Sequence, residues 1–254
     1  MVPRPRVFGN RRLEALKNLV GVGLRRSPRV YRAASRLLYT FDRSFRTLSP
    51  GAPRAVERAI HIALDRQGDA MGDYYEFGVF RGYLLWHAQK TLEQERLPDV
   101  RYWGFDSFQG LPPITDIDRE AGLFHEGQFA CTLATVKRHL SEHGADLGKV
   151  KLIKGFFADA LTSELRASEA MRHIGVAVID CDLYASTVDV LRWLPSLLAD
   201  GAVLVFDDWY AFGRDDLGQP RAFEEFLERH PGWRAHHLFD FPDHGRVFQM
   251  ARRG

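Results

Sequence analysis

The chain has 254 residues, of which 45% are hydrophobic and 27% charged, so its length and composition are those of a globular domain with a sizeable core. Its two cysteines, Cys131 and Cys181, form no CxxC pair and no cysteine–histidine cluster, which argues against a disulfide scaffold and against structural zinc. No stretch approaches the roughly 18 consecutive apolar residues of a membrane-spanning helix, and no signal-peptide pattern is evident, so we expect a cytoplasmic protein.

The N-terminal segment carries the positive charge of the chain. Residues 1–50 contain 12 Arg or Lys residues against Glu14 and Asp42, so the remainder is acidic although the net charge is +2. Leucines at helical spacing precede an arginine-rich run, which predicts a basic helical extension over residues 1–54. The extension either contacts an acidic lipid surface or partner, or packs on its own domain or a second subunit. We favour packing and expect a homo-oligomer, with no nucleic-acid partner.

After the Pro-Gly punctuation at residues 48–54, short apolar runs alternate with longer amphipathic ones. A helix is predicted over residues 55–66. Strands are predicted near residues 74–78, 101–105, 150–153, 175–180, 202–206, 233–239 and 245–250. Further helices are predicted near residues 83–95, 132–143, 160–170, 186–198 and 220–229. Each of the first five strands is followed by a helix, and residues 55–254 are predicted to form one domain.

This order of elements predicts an α/β fold. Parallel strands need crossover connections, so the alternation indicates a mostly parallel, Rossmann-like sheet with helices on both faces. The last two strands, joined by a short turn containing Asp243 and Gly245, predict a C-terminal β-hairpin. The result is a seven-stranded open sheet with one antiparallel strand. Ligands bind such sheets outside the carboxyl ends of the strands, so functional residues are expected there.

The ends of the first three strands carry residues suited to a cofactor. Strand one closes with Glu76, Gly78 and Gly82 in the pattern ExGxxxG, whose glycines either let the backbone approach a ligand or serve in packing. Strand two closes with Asp106, which either accepts hydrogen bonds from ribose hydroxyls or caps a loop. Asp159, after strand three, either caps a helix or faces an adenine amino group. The absence of GxGxxG argues against a dinucleotide.

Four carboxylates follow the next two strands. Asp180 and Asp182 end the run "AVIDCD", and Asp207 and Asp208 end the run "VLVFDD". Acids gathered at the ends of adjacent strands repel one another unless a cation balances them. Carboxylate oxygens are the ligands that Mg²⁺ prefers, so these residues predict a magnesium site in which one acid of the DxD pair addresses the substrate.

These motifs together resemble the TylF/macrocin O-methyltransferase family, whose members are class I enzymes that use S-adenosylmethionine. The resemblance covers about residues 70 to 230. It is carried by the segments "YYEFGVFRG", "GFDSFQGLPP", "VKLIKGFFADAL", "IDCDLYASTVDVLRWLPSLLADGAVLVFDDWY" and "QPRAFEEFL". The block DxDLYxST, followed by a glycine and then DDW/Y, is its most specific part.

The resemblance implies a role for each matching residue. The cofactor-binding residues would be Glu76, Gly78 and Gly82 at the methionine end, Asp106 with Ser107 at the ribose, and Asp159 near the adenine. Asp180, Asp207 and Asp208 would hold Mg²⁺, and Asp182 would be the catalytic base. The family's acceptor is a hydroxyl of a sugar, a glycoside or a glycosylated natural product, and a dimer is common. The chain departs from the family pattern at Ala185, where Glu is usual, and at Trp209, where Tyr is frequent.

Two other functions remain open. Asp180 and Asp182 match the DxD of metal-dependent glycosyltransferases, although such an enzyme would not need the ExGxxxG loop or Asp106. A second alternative is a non-catalytic methyltransferase-like module that binds partners through its N-terminus. Residues 112–130 are long enough to form a lid over the site, and their acids, Asp116, Asp118 and Glu120, are either substrate contacts or, as we favour, solvated loop charges.

Overall fold

The computed structural model describes residues 45–95, 99–119, 122–242 and 244–253. Residues 1–44 of the predicted N-terminal extension, with the lipid contact considered for it, lie outside these ranges, and residues 52–54 belong to the helix predicted to start at residue 55. Within them, no helix combines the length and the apolar character needed to cross a membrane.

A seven-stranded sheet lies at the centre of the described residues. Its strands are β1 (Asp73–Phe77), β2 (Tyr102–Asp106), β3 (Val150–Lys154), β4 (Ile174–Ile179), β5 (Val203–Phe206), β6 (Trp233–Phe241) and β7 (Gly245–Arg252). Their order is β3-β2-β1-β4-β5-β7-β6, in which β7 is antiparallel to both neighbours and the pairs among β1 to β5 are parallel. The predicted sheet and hairpin are confirmed. Gly245, however, pairs with Phe241 as the first residue of β7 and is not part of the turn.

Helices connect the strands. They are α1 (Ala52–Gln67), α2 (Tyr83–Gln94), α3 (Asp116–Arg119), α4 (Leu133–Glu142), α5 (Phe157–Ala160), α6 (Ser163–Ser168), α7 (Tyr184–Trp193) and α8 (Gly218–Arg229). The single helix predicted at 160–170 is instead α5 and α6, because the Thr162 hydroxyl accepts the Leu165 N–H and starts a second helix. The helix predicted to reach residue 198 ends as α7 and a 3₁₀ turn, Leu194–Ser196, because Pro195 has no N–H to continue it.

The core has two halves, one on each face of the sheet. Successive residues of a strand point to opposite faces. Tyr75 and Phe77 therefore pack with the apolar side chains of α7 and α8, whereas Tyr74 packs with those of α1 and α2. All five residues of β1 are buried, as expected for a central strand covered on both sides. The helices thus fix the strand ends, where the predicted functional residues lie.

The amino-terminal end of β1 contains a buried acid that is fully paired. Asp73 is completely buried and accepts hydrogen bonds from the side chains of Arg101 (Nε, 3.0 Å), Arg172 (Nε, 2.9 Å) and Trp103 (Nε1, 2.9 Å). It also accepts the backbone N–H of Arg101 at 3.1 Å. Two guanidinium groups therefore balance this carboxylate at the end of the sheet opposite the predicted site.

Candidate functional site

The acids that follow β4 and β5 come together. Ile179 and Phe206 are partners in the parallel ladder, so the residues after them leave the sheet side by side. One carboxylate oxygen from each of Asp180, Asp207 and Asp208 lies within 4.8 Å of the other two. Three carboxylate oxygens at this spacing form a donor set suited to a hard divalent cation such as Mg²⁺. The residues present therefore fit the predicted metal.

The electrostatics of this cluster oppose ionisation in the absence of a cation. Burial, reinforced by the charge of Asp207, raises the pKa of Asp208 to about 7, although the N–H of Asp182 acts against the shift. Burial and the neighbouring acids also raise the pKa values of Asp180 and Asp182 well above their ordinary range. No Lys or Arg of the described residues forms an ion pair with Asp180, Asp182 or Asp208. A cation or a proton must therefore balance them.

Asp182, in the loop after β4, has an unusual backbone conformation and contacts the loop after β5. Its φ is 60°, in the left-handed region, and the N–H of Leu183 closes a tight turn on the carbonyl of Cys181 at 2.6 Å. The N–H of Asp182 donates to Oδ2 of Asp208 at 3.0 Å. The DxD loop is therefore tied to the acids after β5. Outliers of this kind persist only where the surroundings hold them, and they cluster at functional sites.

Gly78 lets the loop after β1 approach the acidic cluster. Its φ is 95°, and a Cβ placed on it would lie 1.8 Å from the carbonyl oxygen of Asp180. Gly82, with φ of 84°, starts α2, and a Cβ there would press on Val136 at 3.1 Å. The two predicted glycines therefore serve different needs: Gly78 lets the loops touch, and Gly82 lets α2 turn against α4.

Glu76 offers an unused acceptor. Its side chain is buried, Oε2 accepts the Tyr74 hydroxyl at 2.7 Å, and Oε1 is buried without a hydrogen-bond partner. Burial raises the pKa of this carboxyl to about 8, against the effect of the Tyr74 hydrogen bond. A buried acceptor without a partner is costly unless a ligand supplies a donor. The cationic amino group at the methionine end of S-adenosylmethionine is a donor of the required kind.

Asp106 holds the loop after β1. Its Oδ2 accepts the N–H groups of Val79 and Phe80, both at 2.9 Å, and its Oδ1 accepts the N–H of Phe108 at 2.6 Å. Burial raises the pKa of Asp106, and these hydrogen bonds oppose that shift. Of the two roles inferred from sequence, loop capping is therefore present. The neighbouring Ser107 donates to the carbonyl of Gly110 at 2.7 Å and so closes the next turn.

Asp159 lies in α5 and is exposed. The interpretation of this residue as a helix N-cap is wrong, because Phe156 is the cap and Asp159 is the third residue of the helix. The helix begins at Phe157, directly after the turn at Gly155, and not near residue 160 as the sequence predicted. Contact of Asp159 with an adenine stays a prediction.

Two supporting residues escaped the sequence analysis. Asp118 was assigned to solvated loop charge or substrate contact, yet it is 3% exposed and accepts the N–H groups of Tyr184 and Ala185. Gln219, fully buried, accepts the N–H of Asp208 at 3.0 Å and donates to the carbonyl of Ile179 at 2.8 Å. A usable signal was the apolar Leu183 before α7, which cannot cap a helix and so requires an acceptor from elsewhere.

The two aromatic residues after Asp208 face in different directions. Trp209 is buried and its ring packs against those of Phe206 and Phe248, so it belongs to the core beneath the site. Tyr210 is exposed, and its hydroxyl donates to Asp240 at 3.1 Å. The departure from the family pattern at position 209 is therefore accommodated by core packing.

The sheet order, with the loop after β1 and the acids after β4 and β5, defines a class I, Rossmann-like methyltransferase fold. The O-methyltransferase NovP has the same fold, with a TM-score of 0.67 and 24% identity over 78% of this chain and 80% of NovP. The macrocin-O-methyltransferase (TylF) family matches residues 54–230, and the chain belongs to that family. The resemblance seen in the motifs is thus confirmed.

Two curated relatives are similar over part of the chain. Mycinamicin III 3''-O-methyltransferase of Micromonospora griseorubida is 32% identical over 145 residues, which are 54% of this chain and 55% of the relative. The 8-demethyl-8-(2,3-dimethoxy-alpha-L-rhamnosyl)-tetracenomycin-C 4'-O-methyltransferase of Streptomyces olivaceus is 31% identical over 143 residues, 54% of this chain and 53% of the relative. The chain therefore spans about half the length of the curated relatives it matches.

Proposed function

We propose that the protein transfers the methyl group of S-adenosylmethionine to a hydroxyl of a sugar-bearing small molecule, in a Mg²⁺-dependent reaction. The observation that carries the proposal is the convergence of Asp180, Asp207 and Asp208 within 4.8 Å, next to the Gly78 loop. Membership of the macrocin-O-methyltransferase family supports the reaction. The named relatives act on glycosylated natural products, which supports the acceptor class.

The loop after β1 is the proposed cofactor site. Oε1 of Glu76 accepts a hydrogen bond from the amino group of S-adenosylmethionine, and Gly78 lets the loop that binds the cofactor lie directly against Asp180. Asp106 accepts hydrogen bonds from the N–H groups of Val79 and Phe80 and so fixes the conformation of the loop. Ser107 and Asp159 complete the proposed set at the ribose and the adenine.

The acidic cluster is the proposed catalytic centre. Asp180, Asp207 and Asp208 hold Mg²⁺, which when bound supplies Lewis acidity that lowers the pKa of a nearby hydroxyl. The carboxylate of Asp182 accepts the proton of the acceptor hydroxyl. When bound, S-adenosylmethionine would supply its methyl group to the acceptor oxygen with loss of the carbon–sulfur bond, and S-adenosylhomocysteine would be the product. Catalysis consists mainly of aligning oxygen, carbon and sulfur.

Other expectations about the whole protein are also proposals. We infer a cytoplasmic homo-oligomer whose basic extension, residues 1–54, packs on the protein or contacts an acidic surface. Residues 112–130 are proposed to cover the acceptor.

Calorimetry with the full chain tests the proposal. We expect S-adenosylhomocysteine to bind and a uridine diphosphate sugar not to bind, whereas the glycosyltransferase alternative requires the reverse. Methyl transfer from labelled S-adenosylmethionine to a panel of glycosylated macrolides and aromatic polyketides is expected to stop in excess chelator and to return with Mg²⁺. Cofactor binding without transfer to any acceptor would favour the non-catalytic alternative, and full activity in chelator would reject the metal.

A further inference from the structure

The start of α7 lacks a cap from its own sequence. The helix begins at Tyr184, two residues after Asp182, and its N-cap residue, Leu183, has no side-chain acceptor. The first N–H groups of a helix need acceptors when they are removed from water. Here the acceptor comes from a distant part of the chain.

Asp118 supplies both acceptors. Its Oδ1 accepts the N–H of Tyr184 at 2.6 Å, and its Oδ2 accepts the N–H of Ala185 at 3.2 Å. Oδ2 also accepts the hydroxyl of Thr115 at 3.0 Å, which fixes the orientation of the carboxylate. The side chain is almost fully buried, whereas Asp116 on the same short helix is 96% exposed. A buried carboxylate at a helix N-terminus also interacts favourably with the helix dipole.

Asp118 contacts the chain directly after the DxD loop, at the first two residues of α7. Only residues 180–183 separate the end of β4 from the start of α7. One end of this loop is fixed where the N–H of Asp180 donates to the carbonyl of Phe77 at 2.8 Å. The other end is fixed by the two hydrogen bonds to Asp118. Asp182 has a left-handed conformation within this span, and the two anchors, together with the hydrogen bond from its N–H to Asp208, hold that conformation in place.

We propose that Asp118 is a positioning residue for the metal site, a role that rests on the proposed function. It holds the first turn of α7, and through that turn it keeps the loop of residues 180–183 in the conformation that directs Asp180 to the cation and Asp182 to the acceptor. The connection between β2 and α4 is thereby coupled to the acidic cluster. Asp118 touches neither the cation nor the acceptor in this proposal.

The test is calorimetric titration of Mg²⁺ into the full chain saturated with S-adenosylhomocysteine. Asp118→Asn keeps the size of the side chain but replaces one acceptor with an amide donor that faces a backbone N–H. We expect the dissociation constant for Mg²⁺ to rise about tenfold, the order expected for loss of a hydrogen bond to a charged group. The dissociation constant for S-adenosylhomocysteine is expected to stay within about twofold of the wild-type value, because the hydrogen bonds of the Asp118 side chain among the described residues go to Thr115, Tyr184 and Ala185 and not to the β1 loop.

Two matched controls separate positioning from stability. Asp116→Asn changes an exposed acid on the same helix and is expected to leave Mg²⁺ binding unchanged. Thr162→Ala removes the cap of α6, whose hydroxyl accepts the Leu165 N–H at 3.1 Å, and so lowers the melting temperature without touching the acids. All titrations are made well below the melting temperature of each variant, so loss of folded protein cannot imitate a loss of affinity.

The outcomes are distinct. Weaker Mg²⁺ binding in Asp118→Asn alone supports the proposal. A wild-type affinity in Asp118→Asn, with only a lower melting temperature as in Thr162→Ala, overturns it and leaves Asp118 as a helix cap. A wild-type protein that binds Mg²⁺ yet methylates no acceptor overturns the proposed function while the affinities still decide the role of Asp118. A wild-type protein that binds no Mg²⁺ overturns both.

Discussion

Acids at the two ends of the sheet have opposite electrostatic surroundings. At the amino-terminal end of β1, Asp73 is completely buried, and Arg101, Arg172 and Trp103 donate to its two oxygens. At the carboxyl ends of β4 and β5, Asp180 and Asp208 stand beside other acids, and each has a raised pKa. Asp73 and Asp208 are buried and Asp180 is partly buried, and removing a carboxylate from water costs free energy unless a cation is close.

The difference distinguishes structural acids from functional ones. The charge of Asp73 is balanced by Arg101 and Arg172 within the fold, so this acid contributes to folding and needs no ligand. Asp180 and Asp208 form no ion pair with a Lys or Arg of the described residues, and together with Asp207 each places one carboxylate oxygen within 4.8 Å of the other two. Removing an acid from each end should therefore have opposite effects on folding and on activity.

The largest expected effect is on catalysis. Asp207→Ala removes one of the three proposed metal ligands, and we expect methyl transfer to fall by at least about a hundredfold, since even weakening the outer support of a metal site costs about 10- to 100-fold. Binding of S-adenosylhomocysteine, measured by calorimetry, should be retained because the β1 loop is unchanged. Turnover close to wild type would contradict the metal mechanism.

The second effect is on folding at the paired end. Asp73→Ala leaves the Trp103 indole and the Arg101 N–H without their acceptor, and we expect the free energy of unfolding to drop by roughly 3 kcal/mol. Urea denaturation measures this change. Asp200→Ala is the matched control, because its ion pair with Arg66 is about half exposed on both sides and is worth less than about 1 kcal/mol. Equal losses of unfolding free energy in the two variants would show that the buried network around Asp73 stabilises the fold no more than an exposed ion pair does.

A third prediction concerns pH. The pKa of Asp208 rises from 3.8 in the unfolded chain to about 7 in the folded protein without metal. The folded state therefore binds more protons than the unfolded state between these values, and stability falls as pH rises through that window. We expect the melting temperature in chelator to decrease from pH 4 to pH 7 more steeply than it does with saturating Mg²⁺. Parallel curves in the two conditions would be the contrary result.

The smallest expected effect is a gain in folding stability when an acid is removed from the carboxyl ends of the strands, the opposite of the loss expected for Asp73→Ala. Asp180→Asn removes one of the mutually repelling charges, and in chelator at pH 8 we expect it to stabilise the fold by about 1 kcal/mol, since one pKa unit of relief corresponds to about 1.4 kcal/mol. The same variant should lose Mg²⁺ binding. Chemical denaturation in chelator gives the sign directly, and a destabilised variant would mean that the charge of Asp180 is already balanced within the fold.

Much of this site was readable from the sequence, for a specific reason. Parallel strands place their carboxyl ends at one edge, so Asp180, Asp207 and Asp208 had to meet once the alternation of strands and helices was recognised. Glu76 and Gly78 followed from the same rule. These inferences need only the order of the elements and not the packing of side chains.

The contacts that support the site were not readable in this way. Asp118 caps a helix 66 residues further along the chain, and nothing local to it distinguishes it from the exposed Asp116. Of the two interpretations of Asp159, the helix cap is wrong, because the boundary of a four-residue helix depends on the turn before it. Trp209, noted in the sequence only as a departure from the family pattern, is part of the core. Tertiary packing decides each of these cases.

The order of the last strands has a consequence for biosynthesis. β7 lies between β5 and β6, although it is made after both. Until β7 has left the ribosome, β5, the strand that Asp207 and Asp208 follow, has an unpaired edge, and such edges favour wrong pairing between nascent chains. That edge closes only when the hairpin has been translated, so shielding of the edge by a chaperone would matter most between the synthesis of β5 and that of β7.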